Sequence, residues 1–318
     1  MGFWKSLFQG NNETPEEYKQ EEENKNFDIL KYDGLRAQRM GRYDYAIRCF
    51  EEALKLQNDY ETLSYKYQTH MLIGDLDEAL TSLEQMAKEE PGISMTYANM
   101  ANIKYMQENY EEMKAVAEKA VKLDNENSIA HFYLGRALHA LEDDEHAISE
   151  LNKAIEQNDA YVEARLLRAE VFLKMGDKTD QVMADINNIL DLNNEDESAL
   201  TLRARLRCEA QDYNAAASDY QTIIGLDPFN EMAYLELCAM LTEQGKAEEA
   251  LALLNEALDL KPDFAHLLML RAQLKEAKGD TTAQTDRSKA EELIAEADIP
   301  AQGDYKIGGM EKRNVLGL

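Results

Sequence analysis

EMAYLELCAMLTEQGKAEEALALLNEALDLKP, residues 231–262, is the stretch that decides how this chain folds. It reads as two amphipathic helices hinged at Gly245-Lys246 and stopped at Pro262. Tyr234, Leu237, Cys238 and Leu241 recur at i, i+3, i+4 and i+7, an apolar stripe on one face of the first helix. Ala250, Leu254, Ala257 and Leu258 do the same on the second. Asn230 stands where an N-cap belongs, and Asp263 is expected to cap whatever follows. One such pair cannot bury both of its faces, so it needs neighbours of its own kind.

The chain supplies them. Gly245 has counterparts at Gly41, Gly74, Glu108, Glu142, Gly176, Gln211 and Gly279, separated by 33, 34, 34, 34, 35, 34 and 34 residues. Where glycine is missing, Asn109, Asp143 or Asp212 comes next, a residue type suited to turns and tolerant of left-handed backbone. The small residue at Cys238 recurs as Gly34, Ala101, Gly135, Ala169, Ala204 and Ala272, with Tyr67 a large exception. Columns through Ala250, Leu254 and Ala257 keep the same phase, and Pro91 and Pro228 fill the slot of Pro262. Small residues let two helices approach closely, and bulky ones fill the space toward the next pair.

This period and pattern resemble the tetratricopeptide repeat (TPR) family over residues 27–296. The resemblance implies an all-α, right-handed α-solenoid of about eight helix-turn-helix units. The eighth copy has Gln284, Ser288 and Glu291 in the column positions of Ala250, Leu254 and Ala257, which reads as a polar C-terminal cap. Repeat five carries one extra residue around Asp177–Gln181, expected to make a longer hinge.

Three further segments flank or lead into the array. Residues 14–26 read as a charged helical extension that begins at Thr14-Pro15-Glu16-Glu17, with a hydroxyl cap and a proline at the first helical position. Residues 1–13 form an amphipathic segment in which Phe3, Trp4, Leu7 and Phe8 share one face. Such a face is expected to dock on a partner or on a membrane interface, the alternatives being that it folds back onto the first helices or is disordered. Residues 297–318, rich in glycine and ending in an apolar run, read as a flexible tail.

Composition narrows function. With 62 acidic and 34 basic side chains, the net charge is −28, which repels nucleic acid and anionic lipid. Membrane contact is therefore expected only through residues 1–13. Cys49, Cys208 and Cys238 form no metal or disulfide pattern and suit a reducing, cytoplasmic setting. No P-loop, dinucleotide-binding glycine motif or nucleophile elbow occurs. His131 and His139 share a helix without metal-ligand company, so neither catalysis, a metal nor a cofactor is expected.

What remains is a groove. By the resemblance, the first helix of each repeat lines it, which assigns Met95, Asn102, Tyr105 and Met106 from repeat three. Repeat four adds Ile129, Phe132 and Arg136, repeat five Leu166 and repeat six Arg205. Adaptable methionines and aromatics suit apolar anchors, and arginine pairs with carboxylates. The carboxylate clamp of the chaperone-binding branch is incomplete here: Lys31 is in place, but Leu35 stands where its asparagine belongs. The expectation is a non-catalytic scaffold for an extended peptide or partner helix. The alternatives are a membrane-tethered assembly factor and a substrate-recognition subunit of an enzyme complex.

Overall fold

A computed structural model describes residues 15–176 and 179–297. Among them sixteen helices follow one another with no strand. In pairs they are α1 (Pro15–Arg39) and α2 (Tyr43–Leu56), α3 (Tyr60–Ile73) and α4 (Leu76–Glu89), α5 (Ser94–Met106) and α6 (Tyr110–Leu123), and α7 (Ser128–Ala140) and α8 (Asp144–Gln157). The array continues with α9 (Val162–Met175) and α10 (Thr179–Leu192), α11 (Glu197–Glu209) and α12 (Tyr213–Leu226), α13 (Glu231–Glu243) and α14 (Ala247–Leu260), and α15 (Ala265–Ala277) and α16 (Ala283–Ala297). The fold class is an all-α solenoid of helix-turn-helix units. Two compact units divide it, one ending at Asp185 and the next starting at Ile186. Phe3, Trp4, Leu7 and Phe8, the tail from 298, and Asp177 and Lys178 of the long hinge lie outside the described residues.

In every pair the turn is made by one left-handed residue. Gly41, Gly74, Gly176, Gly245 and Gly279 have φ between 72° and 80°, and Glu108, Glu142 and Gln211 have φ of 56°, 64° and 59°. Here the structure corrects the sequence reading. Asn109 and Asp212 do not take up the left-handed strain; their φ values are −95° and −87°. In the turn after α13, Gly245 N–H reaches Thr242 O and Lys246 N–H reaches Leu241 O, a Schellman closure. That geometry demands positive φ at the first turn residue and returns the next one to the N-cap of the second helix. Asn109 and Asp212 accordingly accept hydrogen bonds from Glu112 N and Ala215 N, both at 3.3 Å.

Within each pair, the small-residue columns bring the helices together. In the first unit Ala46, Ala79, Met113 and Ala147 are fully buried, as are Phe50, Leu83, Ala117 and Leu151 one turn further on. A Cβ on Gly135 would lie 2.8 Å from Leu151 Cγ, so glycine there is a matter of space. In the second unit Cys238, Ala250, Leu254 and Ala257 sit in one cluster with Phe264 and Leu267. Burial pushes the Cys238 thiol up to about 12, so it packs as an inert small residue.

One capping expectation holds and one changes. Asn230 caps α13 through Ala233 N, at 2.9 Å. Asp263 does not cap α15: Phe264 is the N-cap residue, and its side chain makes no capping bond. Glu231, from the preceding repeat, accepts His266 N at 2.8 Å instead, tying neighbouring repeats together. In α16, Gln284, Ser288 and Glu291 are exposed, as a capping helix needs, but the packed register runs one residue earlier than the column count. Ala283 and Ala290 are the buried small residues, because the helix begins late at Ala283 after Thr281-Thr282.

A polar device absent from the sequence reading recurs inside the pairs. Arg168, Arg203 and Arg271 occupy the column of Leu237, Asp185 and Asp219 occupy that of Leu253, and Asp286 joins them in the packed register of α16. Arg203 Nη2 donates to Asp219 Oδ1 at 2.7 Å, Arg271 Nη2 to Asp286 Oδ1 at 2.7 Å, and Arg168 Nε to Asp185 Oδ2 at 2.9 Å. Asn152 and Asn255, both on the preceding repeat's second helix, accept a further bond from Arg168 and Arg271. Burial opposes the charge of Asp286, but hydrogen bonds from Arg271 and Lys275 hold its carboxyl below the usual carboxylate range. Where repeat seven keeps leucine on one helix, it keeps leucine on the other as well.

Candidate functional site

The first helices of repeats three, four and five, α5, α7 and α9, pack side by side in the first unit. Their shared face carries the aromatic and methionine residues that the groove assignment singles out. Met95 and Met106 on α5 are 38% and 50% exposed, with Asn102 and Tyr105 half-buried between them. On α7, Ile129 and Arg136 are half-buried. The Arg136 guanidinium stacks on the Tyr105 ring, 3.8 Å from its centroid, and lies 5.4 Å from that of Phe132. Among the described residues it forms no ion pair. In so acidic a chain, that leaves its charge answered by π faces.

Between α7 and α9 a cleft of about 360 Å³ opens. Phe132, Tyr133, Tyr161, Leu166 and Leu167 line it with apolar surface, and Arg136, Glu163 and Glu170 bring charge to it. The rings of Tyr133 and Tyr161 stand 5.3 and 5.1 Å from that of Phe132, in tilted contacts. Burial raises both phenol pKa values, so each stays neutral at any physiological pH. The Glu170 side chain is exposed by area. Burial among the surrounding atoms still pushes its carboxyl above the usual range, against the pull of His139 and Arg136.

Two assigned residues behave differently from the expectation. Phe132 is only 5% exposed and belongs to the core cluster of Leu151, Ala154, Ile155 and Ala164. It forms a wall of the cleft while serving mainly as packing. Arg205 lies in the second unit, where Glu236 Oε1 accepts its Nη2 at 2.8 Å. Its charge is therefore already answered within the protein. Leu166 is half-buried in the cleft lining, as assigned.

Tyr133 and Tyr161 are the members that sequence reasoning missed. Tyr161 is the N-cap residue of α9, outside the helix positions that the groove pattern counts, and it is a conspicuously large residue for a cap. Lys31, the one clamp residue in place, is buried and paired with Asp59 at 2.9 Å and Glu61 at 2.6 Å. Its ammonium is therefore already engaged by two carboxylates within the protein. His131 is likewise structural: Glu150 Oε2 lies 2.6 Å from Nδ1 and the Asn125 carbonyl 2.9 Å from Nε2. Both partners accept, so both ring nitrogens must carry hydrogen, which is the imidazolium form. Among the described residues no three His, Cys, Asp or Glu side chains gather to hold a metal, and no helix is long and apolar enough to cross a membrane.

Three tetratricopeptide repeat family models match the chain, at residues 37–60, 99–161 and 208–274. With the stacked pairs and the hinge glycines, they make this chain a member of the tetratricopeptide repeat family, the class of protein-interaction scaffolds. It is similar to the DnaJ homolog subfamily C member 7 homolog of Schizosaccharomyces pombe, 26% identical over 251 residues, 73% of this chain and 48% of that protein. The chain spans about half the length of the curated relatives it matches over most of its own. Among solved structures, a tetratricopeptide repeat protein from Parabacteroides merdae aligns with TM-score 0.55 and 22% identity over 74% of this chain and 93% of that one. The pilF structure from Pseudomonas aeruginosa aligns with TM-score 0.56 and 18% identity, covering 67% and 97%. These likenesses bear on the fold alone.

Proposed function

We propose that this chain is a non-catalytic scaffold that holds an extended peptide or a partner helix against the first-helix face of repeats three to five. The observation that carries the reading is the cleft between α7 and α9, with its aromatic walls and charged rim. Solenoids present such faces as pre-formed surfaces, so little ordering entropy is lost on binding. The exposed methionines at 95 and 106 extend the apolar surface beyond the cleft and adapt to varied anchors. The relative whose name marks it as a DnaJ homolog supports a role in handling other proteins. Three free cysteines fit work in a reducing compartment such as the cytoplasm.

Phe132→Ala is a poor test, because loss of that core ring lowers stability by about 3–5 kcal/mol. Leu166→Ala combined with Met106→Ala is cleaner. Partners captured from the native cell by the tagged wild-type chain are identified, and one is purified for titration. The double variant is expected to keep its helical circular dichroism and to bind that partner at least about tenfold more weakly. Unchanged affinity would remove the first-helix face as the binding surface.

A further inference from the structure

The cleft between α7 and α9 has a charge pattern that points to one kind of side chain. Glu163 and Glu170 lie seven residues apart on α9, two turns along one face, with Leu166 between them. Among the described residues neither forms an ion pair, although carboxylates elsewhere in this unit, such as Asp144, Glu150 and Asp185, are engaged. The field of Glu163 falls on Tyr133 and Tyr161, the rings that wall the cleft. Arg136, across the cleft, is occupied by the Tyr105 and Phe132 rings.

We propose that this cleft takes a lysine or arginine side chain of the bound peptide, with its aliphatic stem along Leu166 and the aromatic walls and its cationic head at the acidic rim that Glu163 and Glu170 supply. The inference rests on the first-helix face being the binding surface and adds the chemistry of the ligand. Long basic side chains bury their methylenes on apolar surface and keep the charge at a polar rim. Ring faces attract the cation, and a rim carboxylate accepts its hydrogen bonds. An acidic anchor is disfavoured, because it would meet two carboxylates and an arginine already stacked on rings. Burial raises the Glu170 carboxyl, and a cation beside it favours the ionised form against that burial. The net charge of −28 adds long-range attraction for a basic segment.

A bead-bound library of randomised octapeptides tests this directly, with the whole chain as the labelled probe. Wild-type protein is expected to select lysine or arginine beside an apolar residue, at least about tenfold over the glutamine-containing background. Glu163→Gln with Glu170→Gln should abolish that selection while leaving apolar selection and the melting curve in place, since both side chains are exposed. Arg136→Gln should strengthen basic selection, because it removes a competing cation. Selection of acidic residues, basic selection that survives the Glu163→Gln/Glu170→Gln variant, or weaker basic selection by Arg136→Gln would each overturn the proposal. Loss of binding to the purified partner in Leu166→Ala/Met106→Ala, together with any of these results, would leave the groove reading standing and sink only the basic-anchor assignment. No selection of any kind would count against both.

Discussion

Single residues in this chain are governed by how closely two helices cross. Gly135 faces Leu151, and an added methyl group would also meet the Ala147 carbonyl at 3.2 Å. Gly135→Ala is therefore expected to lower stability by about 1–3 kcal/mol through overpacking. Urea unfolding checks it, and an unchanged midpoint would show that the pair relaxes freely. His131 offers a test in pH. Its hydrogen bond to Glu150, opposed by burial, raises the imidazole pKa above the ordinary 6.5. A group raised in the folded state stabilises fully below its unfolded pKa, and that contribution fades as pH climbs through the folded value. Wild-type protein should thus lose more stability than His131→Gln as pH rises from below about 6.5 through the raised value. Parallel melting curves for the two proteins would contradict the imidazolium assignment. The left-handed hinges show what was legible at this scale. Their spacing marked every turn, but the residue holding the positive φ was misplaced where glycine was absent. Glu108, Glu142 and Gln211 take the strain, about 1–2 kcal/mol each for a side chain in that region. The hydrogen-bonded closure of the turn, which fixes which residue must do so, leaves no mark in composition.

At the scale of elements, what holds a pair together differs along the array. Repeat seven has Leu237 and Leu253 at the two places where repeat six has Arg203 and Asp219, and Arg207 also reaches Asp219 at 2.6 Å. A buried ion pair is costly to break and no stronger than a good apolar contact. Arg203→Leu alone should destabilise by about 3 kcal/mol, because it strips Asp219 of half its partners in a dry site. Adding Asp219→Leu and Arg207→Leu should restore most of the loss, because repeat seven has Leu237, Leu253 and Leu241 at these three places. Denaturation of the two variants, compared with wild type, measures the coupling. Additive losses would mean that the pair is not interchangeable with leucines. The periodic apolar columns were readable from the sequence because they are one-residue patterns. The arginine–aspartate pairing was not, since each residue alone reads as a solvated surface charge, and only the crossing of two helices reveals that both are inside.

At the scale of the whole molecule, the repeat period made the fold legible and left the site half legible. The groove pattern names Met95, Met106, Tyr105, Arg136 and Leu166 because a helix face is periodic, and all five lie on first helices of repeats three to five. Phe132, from the same pattern, is a buried ring that also walls the cleft, and Arg205 is paired with Glu236 in the second unit. The pattern missed Tyr161, whose place at a helix cap lies outside any face count. The most direct test of the central claim is where a bound partner touches. A benzoylphenylalanine photo-crosslinker placed at Asn102, on the first-helix face, is compared with one at Glu156, exposed on the second helix α8. With the purified partner present, Asn102 should crosslink to it and lose that crosslink in the Leu166→Ala/Met106→Ala background, while Glu156 should not crosslink. Equal crosslinking at both positions, or at Glu156 alone, would contradict the account.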